Sequence, residues 1–183
     1  MTMKETDNFD LEMPFAYGKV AENKDFVGRE KDIEHLLTNF KGHINTTIIS
    51  PRRWGKTSLV QHVLSMLSKD KRYYLAQVDI FNCRNEEQFY DSYVNAIMKA
   101  TTTKFDAFSL AVKKYLGSFG PKFSVYDDGQ QVDFSVSLDF HDKNYSVDEI
   151  LDLPQRIAKE KGKKFIVCID EFQQIGEFQD SLS

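Results

Sequence analysis

Apolar residues recur every three to four positions in some stretches of this chain and alternate in others, and these two rhythms lay out most of its elements. Ile33, Leu36, Leu37 and Phe40 mark one face of a helix that opens after Phe26-Val-Gly-Arg-Glu30. Lys41-Gly42-His43 ends it, with Gly42 as the C-cap. The β-branched run Ile44–Ile49 reads as a strand, and Leu59, Val60, Val63, Leu64 and Leu67 mark the next helix. Tyr73–Ile80 reads as a second strand. Asn85 followed by Gln88 has the spacing of a capping box, and the helix it opens buries Phe89, Tyr90, Tyr93, Val94, Ile97 and Met98. A further helix is predicted over Phe105–Leu116.

Gly117–Pro121 interrupts the helical rhythm. Phe123–Tyr126 and Val132–Leu138 then flank Asp127-Asp-Gly-Gln130, and Asp-Gly between alternating segments signals a hairpin. Ser146 with Glu149 starts another helix, Pro154 breaks or restarts it, and Gly162 ends it. Lys163–Phe172 is a strongly apolar strand that finishes in two carboxylates, Asp170 and Glu171. Strands separated by helices predict βαβ units and a parallel sheet, with the hairpin, about residues 121–140, as an insertion. Residues 1–25 lack this periodicity and are expected to form an N-terminal arm ahead of one core over 26–183.

Composition narrows the class without naming it. The chain has 183 residues, 41% hydrophobic and 28% charged, enough for a soluble domain with a core. A net charge of −4 argues against a broad basic face for nucleic acid. No apolar run approaches the ~18–20 residues that cross a bilayer, so no membrane contact is expected. The polar, acidic N-terminus is unlike a signal peptide. Cys83 and Cys168 lie far apart and are expected as buried free thiols in a reducing cytoplasm. The four histidines fall in separate elements and offer no zinc spacing.

The chemistry concentrates in SPRRWGKTSLV, Ser50–Val60. A polyphosphate needs many donors around it, and a loop of exposed N–H groups leading into a helix N-terminus supplies them. Gly55 allows close backbone approach, Lys56 reaches the β- and γ-phosphates, Thr57 offers its hydroxyl to Mg2+ and Ser58 touches the α-phosphate. The pattern departs from GxxxxGK[ST] at its first position, where Ser50 stands, and Pro51 restricts Ser50 to extended backbone. Arg52 and Arg53 are candidates to ring the phosphates, with a neighbouring subunit or plain solvation as alternatives. Trp54 either lies near the nucleotide or packs against the protein. Downstream, the strand ending at Asp170-Glu171 fits a Walker B element. Asp170 would hold the magnesium ion and Glu171 would orient and deprotonate the attacking water. Asp79, at the end of the second strand, is a lesser candidate, with a turn role preferred.

In order, Phe26-Val-Gly-Arg-Glu30, Ser50-Pro-Arg-Arg-Trp-Gly-Lys-Thr-Ser58 and Ile169-Asp-Glu-Phe172 resemble the archaeal-type ATPases, members of the AAA+-like/STAND group of P-loop proteins. The resemblance covers roughly Phe15 to Phe172. It implies a three-layer P-loop core with a parallel sheet, ATP and Mg2+ as ligands, slow hydrolysis coupled to a conformational switch, and Val27 and Gly28 near the adenine. Arg29 and Glu30 are expected only to cap and solvate their helix. The family continues past Walker B with a sensor strand, another core strand, a lid and a winged helix. The sheet expected here is accordingly incomplete at its C-terminal side. That puts hydrolysis in question more than binding. A nucleotide-binding or interaction module without turnover, serving an unidentified protein partner, is the first alternative. A DNA-associated motor, touching DNA only through the absent region, is the second. Oligomeric state is left open.

Overall fold

The computed structural model describes residues 28–51, 53–127, 129, 132–140 and 146–178. The expected arm, Val27 and Arg52 lie outside these residues. Contacts divide the chain into two compact units, and the boundary falls between Val63 and Leu64.

The first unit contains α1 (Glu30–Lys41) and most of α2 (Lys56–Leu67). Helix α1 buries Leu36 and carries Glu30 and Asp32 in its first turn, where carboxylates favour the helix dipole. Gly42 caps it as expected, its N–H donating to the Thr38 carbonyl at 2.8 Å. The left-handed residue that turns the chain is His43, with φ 59°.

The strand expected over Ile44–Ile49 is not formed. Residues 44–51 carry no regular structure, and Ile49 is 90% exposed. A β-branched run becomes a strand only when a neighbour takes its N–H and C=O groups, and among the described residues none pairs with it. The segment is tied instead to α1: Asn39 Nδ2 donates to Thr46 Oγ1 (3.1 Å), and Thr46 Oγ1 donates to the Ile44 carbonyl (3.1 Å).

The second unit holds the main core. Strand β1 (Tyr73–Asp79) pairs in parallel with β4 (Lys164–Asp170), in a register that sets Asp79 beside Asp170. Between them in sequence come α3 (Glu86–Thr101), α4 (Phe105–Leu116), the hairpin β2 (Lys122–Asp127) and β3 (Val132–Ser137), and α5 (Val147–Leu151) and α6 (Leu153–Lys161). The architecture is mixed α/β with a small parallel sheet, compatible with a nucleotide-binding fold. Among the described residues that sheet has two strands rather than the larger set expected of a three-layer core.

The expected helices are present, with local changes in how they start. Asn85 Oδ1 accepts from Gln88 N (2.9 Å), but Gln88 Oε1 accepts from Arg84 N (2.9 Å), one residue upstream of a reciprocal box. Ser146 Oγ accepts from Asp148 N rather than from Glu149. Pro154 sits in the first turn of α6, where its missing N–H costs nothing, and Gly162 closes that helix at φ 61°. Val94, Ile97, Met98, Phe108, Val112, Ile150, Leu153 and Ile157 are fully buried in one cluster with Val78 and Ile80. Tyr93 Oη donates to the Leu151 carbonyl (3.0 Å), joining α3 to the end of α5. Burial accounts for its phenol being pushed up to about 12, with Asp152 adding to the effect. Both cysteines are free thiols; Cys83 is buried as expected, whereas Cys168 is only half-buried.

Candidate functional site

In the first unit, the phosphate-loop candidates form one local structure. Lys56 opens α2 and folds back over the loop. Its ammonium donates to the carbonyls of Ser50 (2.9 Å) and Pro51 (3.2 Å), closing the turn on itself. Arg53 and Gly55 both take left-handed backbone, at φ 64° and 68°. A Cβ built on Gly55 would meet Arg29 Nη1 at 3.9 Å and Ser58 Cβ at 4.0 Å, both ordinary contacts. Conformation, not crowding, is therefore what asks for glycine here.

The first-turn N–H groups of a helix have no carbonyl four residues back within that helix. In α2 the bond from Leu59 N to the Gly55 carbonyl (2.9 Å) follows them, and the first turn holds no acidic residue to compete for its positive end. Ser50 Oγ is buried and has no hydrogen-bond partner among the described residues. The donor set of lysine ammonium, helix amides and hydroxyls at Thr57 and Ser58 suits a polyanion. Trp54 is 67% exposed, so the loop does not use it as a packing brace.

One residue here has a larger part than its sequence position suggested. Arg29, at φ 66° just before α1, donates through Nη1 to the carbonyls of Trp54 (2.9 Å) and Gly55 (3.4 Å). Its Nε is paired with Asp32 (2.7 Å), which fixes the guanidinium from the far side. Beyond capping or solvating α1, Arg29 clamps the carbonyls of the loop. With both carbonyls turned toward Arg29, the local peptide units are held in the loop conformation. Twenty-six residues separate the two, and no periodicity links them.

In the second unit, the acidic candidates lie at the carboxyl edge of the parallel sheet. Asp170 is the last residue of β4, and its Oδ1 accepts from Glu171 N (2.9 Å). Glu171 leaves the strand at φ 55°, a strained value for a non-glycine residue. Its Oε2 accepts a short bond from Gln173 Nε2, and its carbonyl accepts from Gln174 N (2.9 Å). Asp79 uses Oδ1 to accept from Phe81 N (2.9 Å), the turn role preferred for it. Beneath this edge, burial pushes the Cys168 thiol up to about 11, with Asp170 adding to the effect. Among the described residues, no three His, Cys, Asp or Glu side chains form a metal cluster.

Comparison with known proteins gives one informative relative. A Methanocaldococcus jannaschii protein named as an uncharacterized ATP-binding protein is 28% identical over 177 aligned residues. The alignment takes in 87% of this chain and 46% of the relative, so the chain spans about half the length of the protein it matches. No family model matches the chain, and no solved structure matches it. No helix among the described residues is long and apolar enough to cross a membrane.

Proposed function

We propose that this chain is an ATP-binding P-loop module whose phosphate site is the loop 50–58. The observation that carries the reading is the Lys56 ammonium held on the Ser50 and Pro51 carbonyls at the N-terminus of α2. An ammonium parked on uncharged carbonyls exchanges them for phosphate oxygens at a gain, because an anionic acceptor adds an ion–ion attraction that a carbonyl dipole does not supply. The relative's description as ATP-binding supports the same reading.

In this reading, Gly28 and Val27 adjoin the adenine, Arg52, Arg53 and Trp54 border the nucleotide, and Ser58 contacts the α-phosphate. Thr57 and Asp170 are the residues that would hold Mg2+, which supplies charge neutralisation on the phosphates. Glu171 orients the attacking water and takes its proton. The left-handed turn at Glu171 points to a residue held for chemistry rather than for folding ease. The module belongs to the archaeal-type, AAA+-like/STAND ATPases, and its turnover drives a switch in a longer protein.

Glu171→Gln separates turnover from binding. ATP affinity by calorimetry stays within about twofold, and phosphate release falls by at least ~10²-fold. Binding with no release in either protein assigns a nucleotide-binding module without turnover.

A further inference from the structure

The hairpin β2–β3 has one protected edge and one open edge. On the protected side, α3 behaves as a surrogate strand. Asn95 Oδ1 accepts from Val136 N (2.8 Å) while Asn95 Nδ2 donates to the Val136 carbonyl (2.6 Å). Two residues on, Asp91 Oδ1 accepts from Leu138 N (2.9 Å). Opposed residues of an antiparallel pair alternate between hydrogen-bonded and non-hydrogen-bonded positions. Since Val136 turns its backbone groups toward α3, its register partner Phe123 is at a non-bonded position. Phe123, Val125 and Asp127 therefore turn their own N–H and C=O groups outward from β2. The sheet has two strands, so no strand among the described residues takes them.

Charges blunt the open edge only at its two ends, Lys122 and Asp127. Strand β2, KFSVYD, contains no proline and no bulge, and pairs with β3 without a skip. It is also more apolar than an exposed edge needs to be. Phe123, Val125, Phe134, Val132 and Val136 share one face. Phe123 packs edge-on to Phe105 and Phe108, but Val125 and Val132 are each 56% exposed. The apolar face thus runs on past the part that α4 covers. On the other face, Tyr126 is 69% exposed.

We propose that the outer edge of β2 pairs antiparallel with β2 of a second copy of this chain, joining the two hairpins into one sheet across a two-fold axis. The strand is self-complementary in one register. Outward residues must face outward residues, and placing Phe123 opposite Val125 of the second copy satisfies this twice by symmetry. It sets an aromatic ring on the exposed valine, continues the apolar face, and brings Lys122 opposite Tyr126 of the second copy, a cation over a ring. Ser124 then falls on the axis, facing itself. The shift by two residues that puts Val125 on the axis sets Phe123 against Asp127, an apolar ring against a carboxylate. Antiparallel pairing also brings the Lys122 end of one strand to the Asp127 end of the other, whereas parallel pairing joins like ends. The proposal does not depend on nucleotide binding.

Sedimentation velocity of the chain, from about 10 μM to 1 mM, tests it over the range where a small, transient interface associates. The expected result is a concentration-dependent monomer–dimer equilibrium that Val125→Pro abolishes. Proline removes one outward N–H, is tolerated on edge strands, and should leave the circular dichroism spectrum intact. Ser124→Cys gives a second reading that needs no proline. Non-bonded antiparallel pairs have Cα atoms about 4.5 Å apart, within disulfide reach. Oxidative cross-linking of Ser124→Cys should exceed that of the exposed Ser118→Cys on the order of tenfold. A monomer at every concentration overturns the proposal. So does a dimer that survives Val125→Pro, or cross-linking at Ser124→Cys no faster than at Ser118→Cys.

Discussion

The loop 50–58 and the α3–α4 core are held by different forces. Around the loop, Ile44, Ile49 and Trp54 are exposed, and shape is kept by polar contacts: Lys56 to two carbonyls, Arg29 to two more, Asn39 to Thr46. In the core, Phe108, Ile97, Val112 and Leu153 are fully buried, and polar side chains such as Asn95 only stitch the edges. Polar contacts in or near water are each worth little net, roughly 0.5–1.5 kcal/mol, but can be exchanged for a ligand's. Buried apolar contacts are worth more and have nothing to exchange. Under the proposed function the loop is the part that rearranges around a polyanion, and the core is the part that stays fixed.

Breaking the core should have the largest effect on stability and almost none on the loop. Phe108 packs tilted on Phe134, with ring centroids 4.7 Å apart, and edge-on to Phe123. Phe108→Ala should cost about 3–5 kcal/mol in urea unfolding. ATP affinity, measured cold where the variant remains folded, should change by less than about twofold. Breaking the loop clamp should do the reverse. Arg29→Ala removes the donor to the Trp54 carbonyl and leaves the Gly55 carbonyl with Leu59 N alone. ATP affinity should fall about tenfold, equivalent to about 1.4 kcal/mol, with the unfolding midpoint of the core unmoved.

The smallest effect sharpens the comparison from the core side. Burial pushes the Asp91 carboxyl up to about 6, with Glu87 adding and the Leu138 N–H opposing. The folded state therefore binds this proton more tightly than the unfolded chain, whose ordinary value is 3.8. The resulting stability is fully present below about pH 4 and is lost as pH rises through about 6. Asp91→Asn keeps an oxygen for Leu138 N and removes the charge. Because Asp91 is only half-buried, the gain at pH 7.5 should be about 1 kcal/mol, or about 2–4 °C in Tm, and near zero at pH 4. Thermal melts at the two pH values measure it.

The core was largely legible in the sequence because its signals are local. The 3.6-residue rhythm of Phe89, Tyr93, Val94 and Ile97 survives in any context, as do Pro154 at a helix start and Gly162 at a helix end. Ile44–Ile49 misled because β-branching reports fitness for a sheet and says nothing of whether a neighbouring strand is there. Arg29 was underrated for a related reason. Its contacts with Trp54 and Gly55 depend on a left-handed backbone at residue 29 and on a clamp reaching across 26 residues. Asn95, mid-helix and polar, gave no hint that its amide would bind both backbone groups of Val136. Lys56 and Asp170 were legible as candidates because Gly-Lys-Thr before a helix and an apolar strand ending in Asp-Glu are short patterns with a chemical reason behind them.

Calorimetric titration of ATP with Mg2+ into the wild-type chain and into Lys56→Ala tests the central claim most directly. In the proposed function Lys56 exchanges its bonds to Ser50 and Pro51 for phosphate oxygens, so its loss should weaken binding by at least about 10²-fold. Circular dichroism should show the fold retained. Equal affinity for the two proteins, or no binding by either, would contradict it.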